Sequence, residues 1–214
     1  MQRWDERPAK FRPWIPPGNP DAGLCPAGPL DIEIGCGVGW HALTYAGDHP
    51  ERTLVAIEKT RAKFDKFRRR VERHGHPANL VPVHAHAVSW IAQNIEKETV
   101  DRCFILYPNP APGRRRLNQR WYAMAFTPAL IQILKPGGTL HLATNLPDYA
   151  GGARHHLSSG RGLRLLHDRQ LRGDTDVPRT HFEKKYLDRG ETCFDLVFIR
   201  EGPGFPPKAA PDKL

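Results

Sequence analysis

The chain has 214 residues, enough for one domain with a substantial core, and 32 lysines and arginines against 23 acids give it a formal charge of +9 at neutral pH. That excess favours a polyanionic partner, and it is concentrated in residues 61–73, 114–120 and 161–172. No apolar run approaches the roughly 20 residues that span a bilayer, no charged and then apolar leader opens the chain, and Cys25, Cys36, Cys103 and Cys193 form no C-x-x-C pair, so a cytoplasmic protein is expected, with reduced thiols, no membrane contact, no disulfide framework and no metal site.

Residues 1–29 carry Pro8, Pro13, Pro16, Pro17, Pro20, Pro26 and Pro29, a density that no helix tolerates. They read as an extended arm, with Trp4, Phe11 and Trp14 as docking points. From Leu30 strands and helices alternate. Strands are expected at 30–34, 53–57, 80–84, 100–107 and 139–144, with later ones at 162–166 and 192–199. Helices are expected to begin at Trp40 and to cover 60–74, 88–97 and 120–134, the last closed by Lys135-Pro136-Gly137-Gly138. The second is basic and amphipathic, with Ala62, Phe64, Phe67 and Val71 near its apolar face. This alternation predicts an α/β fold: a doubly wound, mostly parallel seven-stranded sheet with helices on both faces, over residues 30–201. Residues 202–214 form a proline-rich tail, expected to be flexible. Ligands of such sheets sit at the carboxyl ends of the strands.

The chemistry concentrates at Asp31-Ile32-Glu33-Ile34-Gly35-Cys36-Gly37-Val38-Gly39 and at Val55-Ala56-Ile57-Glu58. A strand runs into a turn with glycines at alternate positions, where the backbone can take positive φ and approach a ligand closely. An acid at the tip of the next strand suits the two hydroxyl donors of a ribose. The pattern is Glu-x-Gly-x-Gly-x-Gly rather than the dinucleotide G-x-G-x-x-G, and it resembles the cofactor loop of S-adenosylmethionine (SAM)-dependent methyltransferases. His84 and His86 share one face of the third strand, where packing or adenine contact is a better reading than a metal pair.

Three further segments narrow the resemblance. They are Tyr107-Pro108-Asn109-Pro110-Ala111-Pro112-Gly113-Arg114-Arg115-Arg116, Ala143-Thr144-Asn145-Leu146-Pro147-Asp148, and Pro178-Arg179-Thr180-His181-Phe182-Glu183. With the glycine turn, their order and spacing resemble the tRNA (guanine-N7) methyltransferase family over roughly residues 30–200. The resemblance implies SAM as cofactor, S-adenosylhomocysteine as product and tRNA as partner. It implies cofactor contacts from Glu33, Gly35, Cys36, Gly37, Gly39, Glu58, Lys59, His86, Ala87 and Asn109. It places Asn109 at the catalytic position, and Gly113, Arg114, Asn145, Thr180, His181, Phe182 and Glu183 at the substrate.

Five positions depart from the family pattern. His86, Asn109 and Asn145 stand where it carries acids, Gly113 stands where it carries a lysine, and Ala111 replaces its tryptophan. Guanine N7 has an in-plane lone pair and no proton, so its methylation needs no general base. Asn109 keeps an acceptor oxygen and gains an amide donor that can meet O6 or N7. Arg114, Arg115, Arg116 and Arg120 suit phosphates; the bland reading is a solvated basic loop. For Thr180 and Glu183 the bland reading is a helix cap. Two alternatives stay open: methylation of a small nitrogen heterocycle on the same fold, and a non-catalytic RNA-binding relative. Monomer and homodimer are equally compatible with the sequence.

Overall fold

The computed structural model describes residues 28–159 and 162–202. The proline-rich arm with Cys25, Trp4, Phe11 and Trp14, Arg161 and nearly all of the tail lie outside the described residues, as does the side chain of Arg114.

Seven strands form one sheet: β1 (Leu30–Ile34), β2 (Thr53–Glu58), β3 (Leu80–His84), β4 (Val100–Leu106), β5 (Leu134–Thr144), β6 (Leu163–Leu171) and β7 (Cys193–Arg200). Their order is β3-β2-β1-β4-β5-β7-β6. The helices are α1 (Trp40–Asp48), α2 (Arg61–Arg73), α3 (Ala87–Asn94), α4 (Thr127–Ile133), α5 (Pro147–Ser158) and α6 (His181–Leu187).

Strand alternation divides the core in two. Ile32, Ile34, Val55, Ile57, Val83, Ile105, Leu140 and Leu142 face α3, α4 and α5, joined by Trp90, Ile91, Phe126 and Leu130. The alternate residues Leu54, Ala56, Phe104, Leu106 and Ala143 face α1 and α2, where Tyr45, Phe67 and Val71 meet them. Helices therefore cover both faces of the sheet, as the alternation of apolar residues implies.

The sheet is mixed: four pairings are parallel, in keeping with the mostly parallel sheet expected, and the antiparallel ones all involve β7. β7 runs antiparallel to both neighbours, pairing Leu140 with Phe198 and Leu142 with Leu196 on one side and Leu171 with Cys193 on the other. An apolar strand buried on both faces looks the same in either direction, so its composition does not reveal its orientation. Two segments also differ from expectation. The segment expected as one helix over 120–134 is helical only from Thr127, after a 3-10 helix at Arg114–Gln119. Arg120 is held to the Pro110 carbonyl at 3.1 Å, and the Thr127 hydroxyl donates to the Trp121 and Met124 carbonyls, which starts the helix late. Lys135–Gly138, expected as a turn, belongs to β5, with a shift of register against Val100 and Arg102. A Cβ on Gly138 would lie 3.0 Å from the Val100 carbonyl oxygen, so only glycine lets these strands approach so closely.

One buried polar group ties the start of the sheet together. Asp31 is fully buried and receives two 2.6 Å bonds from the Arg52 guanidinium and a 2.6 Å bond from the Tyr45 hydroxyl. Arg102 of β4 donates to that same hydroxyl. Burial and the Asp31 charge push the Tyr45 hydroxyl up to about 12, so it stays a donor at neutral pH. The network fixes α1 on β1 and so sets the angle at which the glycine turn leaves the sheet.

Candidate functional site

A cleft of about 740 Å³ opens at the carboxyl ends of β1, β2 and β4, where the strand order changes direction. That volume is in the range of small-ligand sites. The β1–α1 turn, the ends of β2 and β3, the Tyr107–Pro110 loop, Trp121 and the start of α6 all line it.

The turn is built by its glycines and by one acid. Gly37 takes φ 63°, and its N–H donates to the Glu58 carboxylate at 3.0 Å. The other Glu58 oxygen accepts from the Thr60 N–H at 2.6 Å. Glu58 is only 5 % exposed, so it fastens the turn to the tip of β2 while still lining the cleft. A Cβ on Gly37 would meet nothing within 4 Å, which leaves the cleft side of the turn open. Gly39 serves packing instead: a Cβ there would lie 1.9 Å from the Phe67 ring, and its φ of 78° is left-handed. Behind the turn, Glu33 is buried and bonds His41 Nδ1 at 3.0 Å. Burial, reinforced by the Glu33 and Glu58 charges, raises the Cys36 thiol well above its ordinary value, so it stays protonated and unreactive.

At the third strand the two histidines part. His84 stacks on Phe64 with ring centres 5.0 Å apart, a packing role. His86 caps α3 at the cleft; partial burial, then the Lys59 charge, lowers its imidazole below the ordinary value, so it is neutral at pH 7.

The opposite wall is aromatic. Tyr107 sits in the left-handed region at φ 52°, unusual for a residue with a side chain. Its N–H donates to the Ala143 carbonyl, and its hydroxyl donates to Glu183 at 2.8 Å. Burial pushes that hydroxyl far up, and the Glu183 charge adds to this. Glu183 is fully buried and takes bonds from the Arg179 backbone N–H and from two nitrogens of its guanidinium. Burial pushes Glu183 up, but Arg179 more than reverses this and leaves it below the ordinary carboxylate value. Thr180 caps α6 by accepting from the Glu183 N–H at 3.0 Å. The cap points His181 and Phe182 outward. His181 meets Trp40 edge-on at 4.5 Å, and Phe182 is 44 % exposed beneath the Lys63 ammonium. Asn109 lines the cleft, and its side-chain oxygen accepts from the Ala111 N–H at 3.1 Å.

Gly35, Cys36, Gly37, Glu33, Glu58, Lys59, His86, Ala87 and Asn109 therefore converge on one cleft, together with Thr180, His181 and Phe182. Gly39 lies behind it. Glu183 also lies beneath the wall, where it positions Tyr107 and the α6 cap instead of facing a ligand. Gly113 and Asn145 are not on the cleft wall; Asn145 donates instead to Glu191 at 2.8 Å. Arg120 bonds Pro110 and the Tyr122 hydroxyl and braces the loop, while Arg115 and Arg116 are exposed. Trp40, Lys63, Tyr107, Trp121 and Tyr186 line the cleft without having been singled out from sequence as site residues. Only Tyr107 had a local signal, as the first residue of the proline-rich loop.

A methyltransferase family model, described as "Putative methyltransferase", matches residues 27–196. A tRNA (guanine-N(7)-)-methyltransferase of Nitrosomonas eutropha is 33% identical over 172 residues, covering 80% of this chain and 76% of that protein. The chain belongs to the tRNA (guanine-N7) methyltransferase family. The enzyme of the same description from Nitrosomonas europaea is 32% identical over 170 residues, 79% of this chain and 75% of its own length. Among solved structures, an antibiotic-related methyltransferase superposes with a TM-score of 0.61 at 16% identity, over 79% of this chain and 86% of that one. At that identity the likeness concerns the fold, which is that of class I SAM-dependent methyltransferases. The family assignment accommodates the mixed sheet, the glycine turn and the Thr180–Glu183 segment together.

Proposed function

We propose that the protein transfers the methyl group of SAM to N7 of a guanine in the variable loop of tRNA, releasing S-adenosylhomocysteine. The observation that carries this reading is that one cleft joins the glycine turn and its two acids to an aromatic wall built on the family's Thr-x-Phe-Glu segment. Family membership and the formal charge of +9 point the same way. Among the described residues no helix is long and apolar enough to cross a membrane.

The residues present fit the cofactor. The turn leaves open space on its cleft side at Gly35 and Gly37, and the carboxylate of Glu58 lies at its edge. Glu58 has acceptor capacity beyond its two backbone donors, which suits a ribose diol. His86, neutral and beside Ala87, suits an adenine edge. When bound, SAM supplies an electrophilic methyl on a sulfonium.

With SAM bound, the N7 lone pair would take its methyl as the methyl–sulfur bond breaks and that electron pair returns to sulfur. No proton moves. The chain's task is to align N7 with the methyl and to accommodate the positive charge that ends on the purine. Tyr107, Trp121, Phe182 and Tyr186 line the cleft, and aromatic rings there would suit that cation. Such rings would offset the absence of an acid at position 109; position 145 lies off the cleft wall. Asn109 lines the cleft with its oxygen engaged by the Ala111 N–H, and an amide donor there would suit guanine O6 and leave N7 free. Tyr107 is held for this by Glu183 and Arg179.

The test is incubation with methyl-labelled SAM and tRNA lacking the modification, beside a panel of small nitrogen heterocycles. Label is expected in tRNA alone. Label in a heterocycle with none in tRNA would transfer the site to a small-molecule acceptor. tRNA binding without any affinity for SAM or S-adenosylhomocysteine would leave a binding module.

A further inference from the structure

Helix α2 carries seven cations: Arg69 folds back on the Asp65 carbonyl at 3.2 Å, and the geometry sorts the other six into two groups. Arg61 pairs with Asp65, and Arg68 reaches Glu72 at 3.7 Å, each one turn along the helix. Lys63, Lys66, Arg70 and Arg73 follow the helical spacing of three and four. At 100° per residue they fall within about 80° of the circumference and run about 15 Å along the axis. Among the described residues none of these four has an acid within ion-pair distance, whereas both acids of the helix lie on the side of Arg61 and Arg68.

The stripe starts at the mouth of the cleft. Lys63 lines it, with its ammonium 5.9 Å from the centre of the exposed Phe182 ring. Arg70 lies close enough to His181 for its charge to add to burial in lowering that imidazole. The buried face, Phe67 and Val71, anchors α2 on the sheet and fixes the direction of the stripe. A row of unpaired cations of this length matches a few consecutive phosphates of a nucleic-acid strand. It adjoins the rings that would face the acceptor base.

We infer that the Lys63–Lys66–Arg70–Arg73 face of α2 is a phosphate track that carries the tRNA backbone to the cleft mouth. The inference rests on the tRNA reading above and adds the surface by which the substrate is aligned. Lysine and arginine on a rigid helix hold the strand by its phosphates, without reading its bases. Phe182 then stands at the end of the track, where an unstacked base would enter the cleft.

The experiment compares tRNA binding by the full chain with that of Lys66→Ala/Arg70→Ala/Arg73→Ala, over a range of salt. Lys63 is left intact because it lines the cleft. Each lost phosphate contact removes about 0.7–0.9 from the slope of log affinity against log salt. The triple variant should therefore flatten the slope by about 2 and bind tRNA at least tenfold more weakly at low salt. Its affinity for S-adenosylhomocysteine should be unchanged, which also shows that it folds. Arg61→Ala/Arg68→Ala, on the acid-paired face, should leave the slope unchanged. An unchanged slope in the triple variant, or equal flattening in both variants, overturns the track. If the triple variant does not fold, Lys66→Gln/Arg73→Gln should flatten the slope by more than 1; an unchanged slope there overturns it as well. Methylation of tRNA by the wild type with an unaltered slope in the variant removes the track and keeps the function. Variant-sensitive tRNA binding without methylation does the reverse.

Discussion

Replacing Glu58 by alanine tests the cofactor half of the site. Glu58 is almost fully buried and holds the N–H groups of Gly37 and Thr60 at 3.0 and 2.6 Å. Hydrogen bonds to an ionised acceptor contribute roughly 1.5–3 kcal/mol each. In the proposed complex the same carboxylate also takes the ribose hydroxyls, but its oxygens are already shared with two backbone donors. A net loss of about 2–3 kcal/mol in cofactor binding follows, or roughly 30- to 150-fold in dissociation constant. Calorimetric titration with S-adenosylhomocysteine reads this directly. Glu58→Gln keeps one acceptor oxygen and turns a donor toward one of the amides, so it should fall between alanine and wild type. Cofactor affinity in Glu58→Ala within twofold of wild type would refute the reasoning, because the turn would then neither need the carboxylate nor present it to a ligand.

Other perturbations have equally definite outcomes. Gly39→Ala combines a left-handed φ with a Cβ 1.9 Å from the Phe67 ring, so denaturant unfolding should show a loss of about 2–5 kcal/mol, partly relieved by Phe67→Leu. Arg179→Met leaves Glu183 buried without its charge partner, and should destabilise by about 3–5 kcal/mol and release Tyr107. Because the folded value of Glu183 is depressed, its stabilisation is present above the ordinary glutamate range and is lost as pH falls through the folded value. Urea midpoints measured from pH 6 to pH 3 should fall in wild type with a component that Glu183→Gln lacks. His86 is held neutral, and its protonation places a like charge beside the cationic cofactor. SAM affinity should decline as pH drops below the ordinary histidine range, and His86→Asn should remove that decline.

How legible the protein is from its residues depends on the distance over which each signal acts. The glycine turn and Glu58 were readable because their roles depend on neighbours in sequence and on one strand-to-strand contact. The helix over 61–73 was readable from its own periodicity, with Thr60 and His74 as its caps. The direction of β7 was not, because an apolar strand carries no label for its partner's polarity. The late start of α4 was hidden because it depends on Arg120 reaching back to Pro110. Glu183 was matched to a substrate contact by its motif. Only the fold shows that Arg179 and Tyr107 saturate it, so the cap and the charge network account for its place. The aromatic wall escaped for the same reason. Trp40, Trp121 and Tyr186 come from three separate elements, and nothing in their local patterns marks them as neighbours.

The central claim is the acceptor atom: N7 of a guanine in the variable loop. It is tested most directly by digesting tRNA after reaction with methyl-labelled SAM and locating the methyl by fragment mass spectrometry. The expected result is one 7-methylguanosine, within the fragment that carries the variable loop. Methylation on another atom or in another loop, or no incorporation into tRNA while the protein binds SAM, would contradict it.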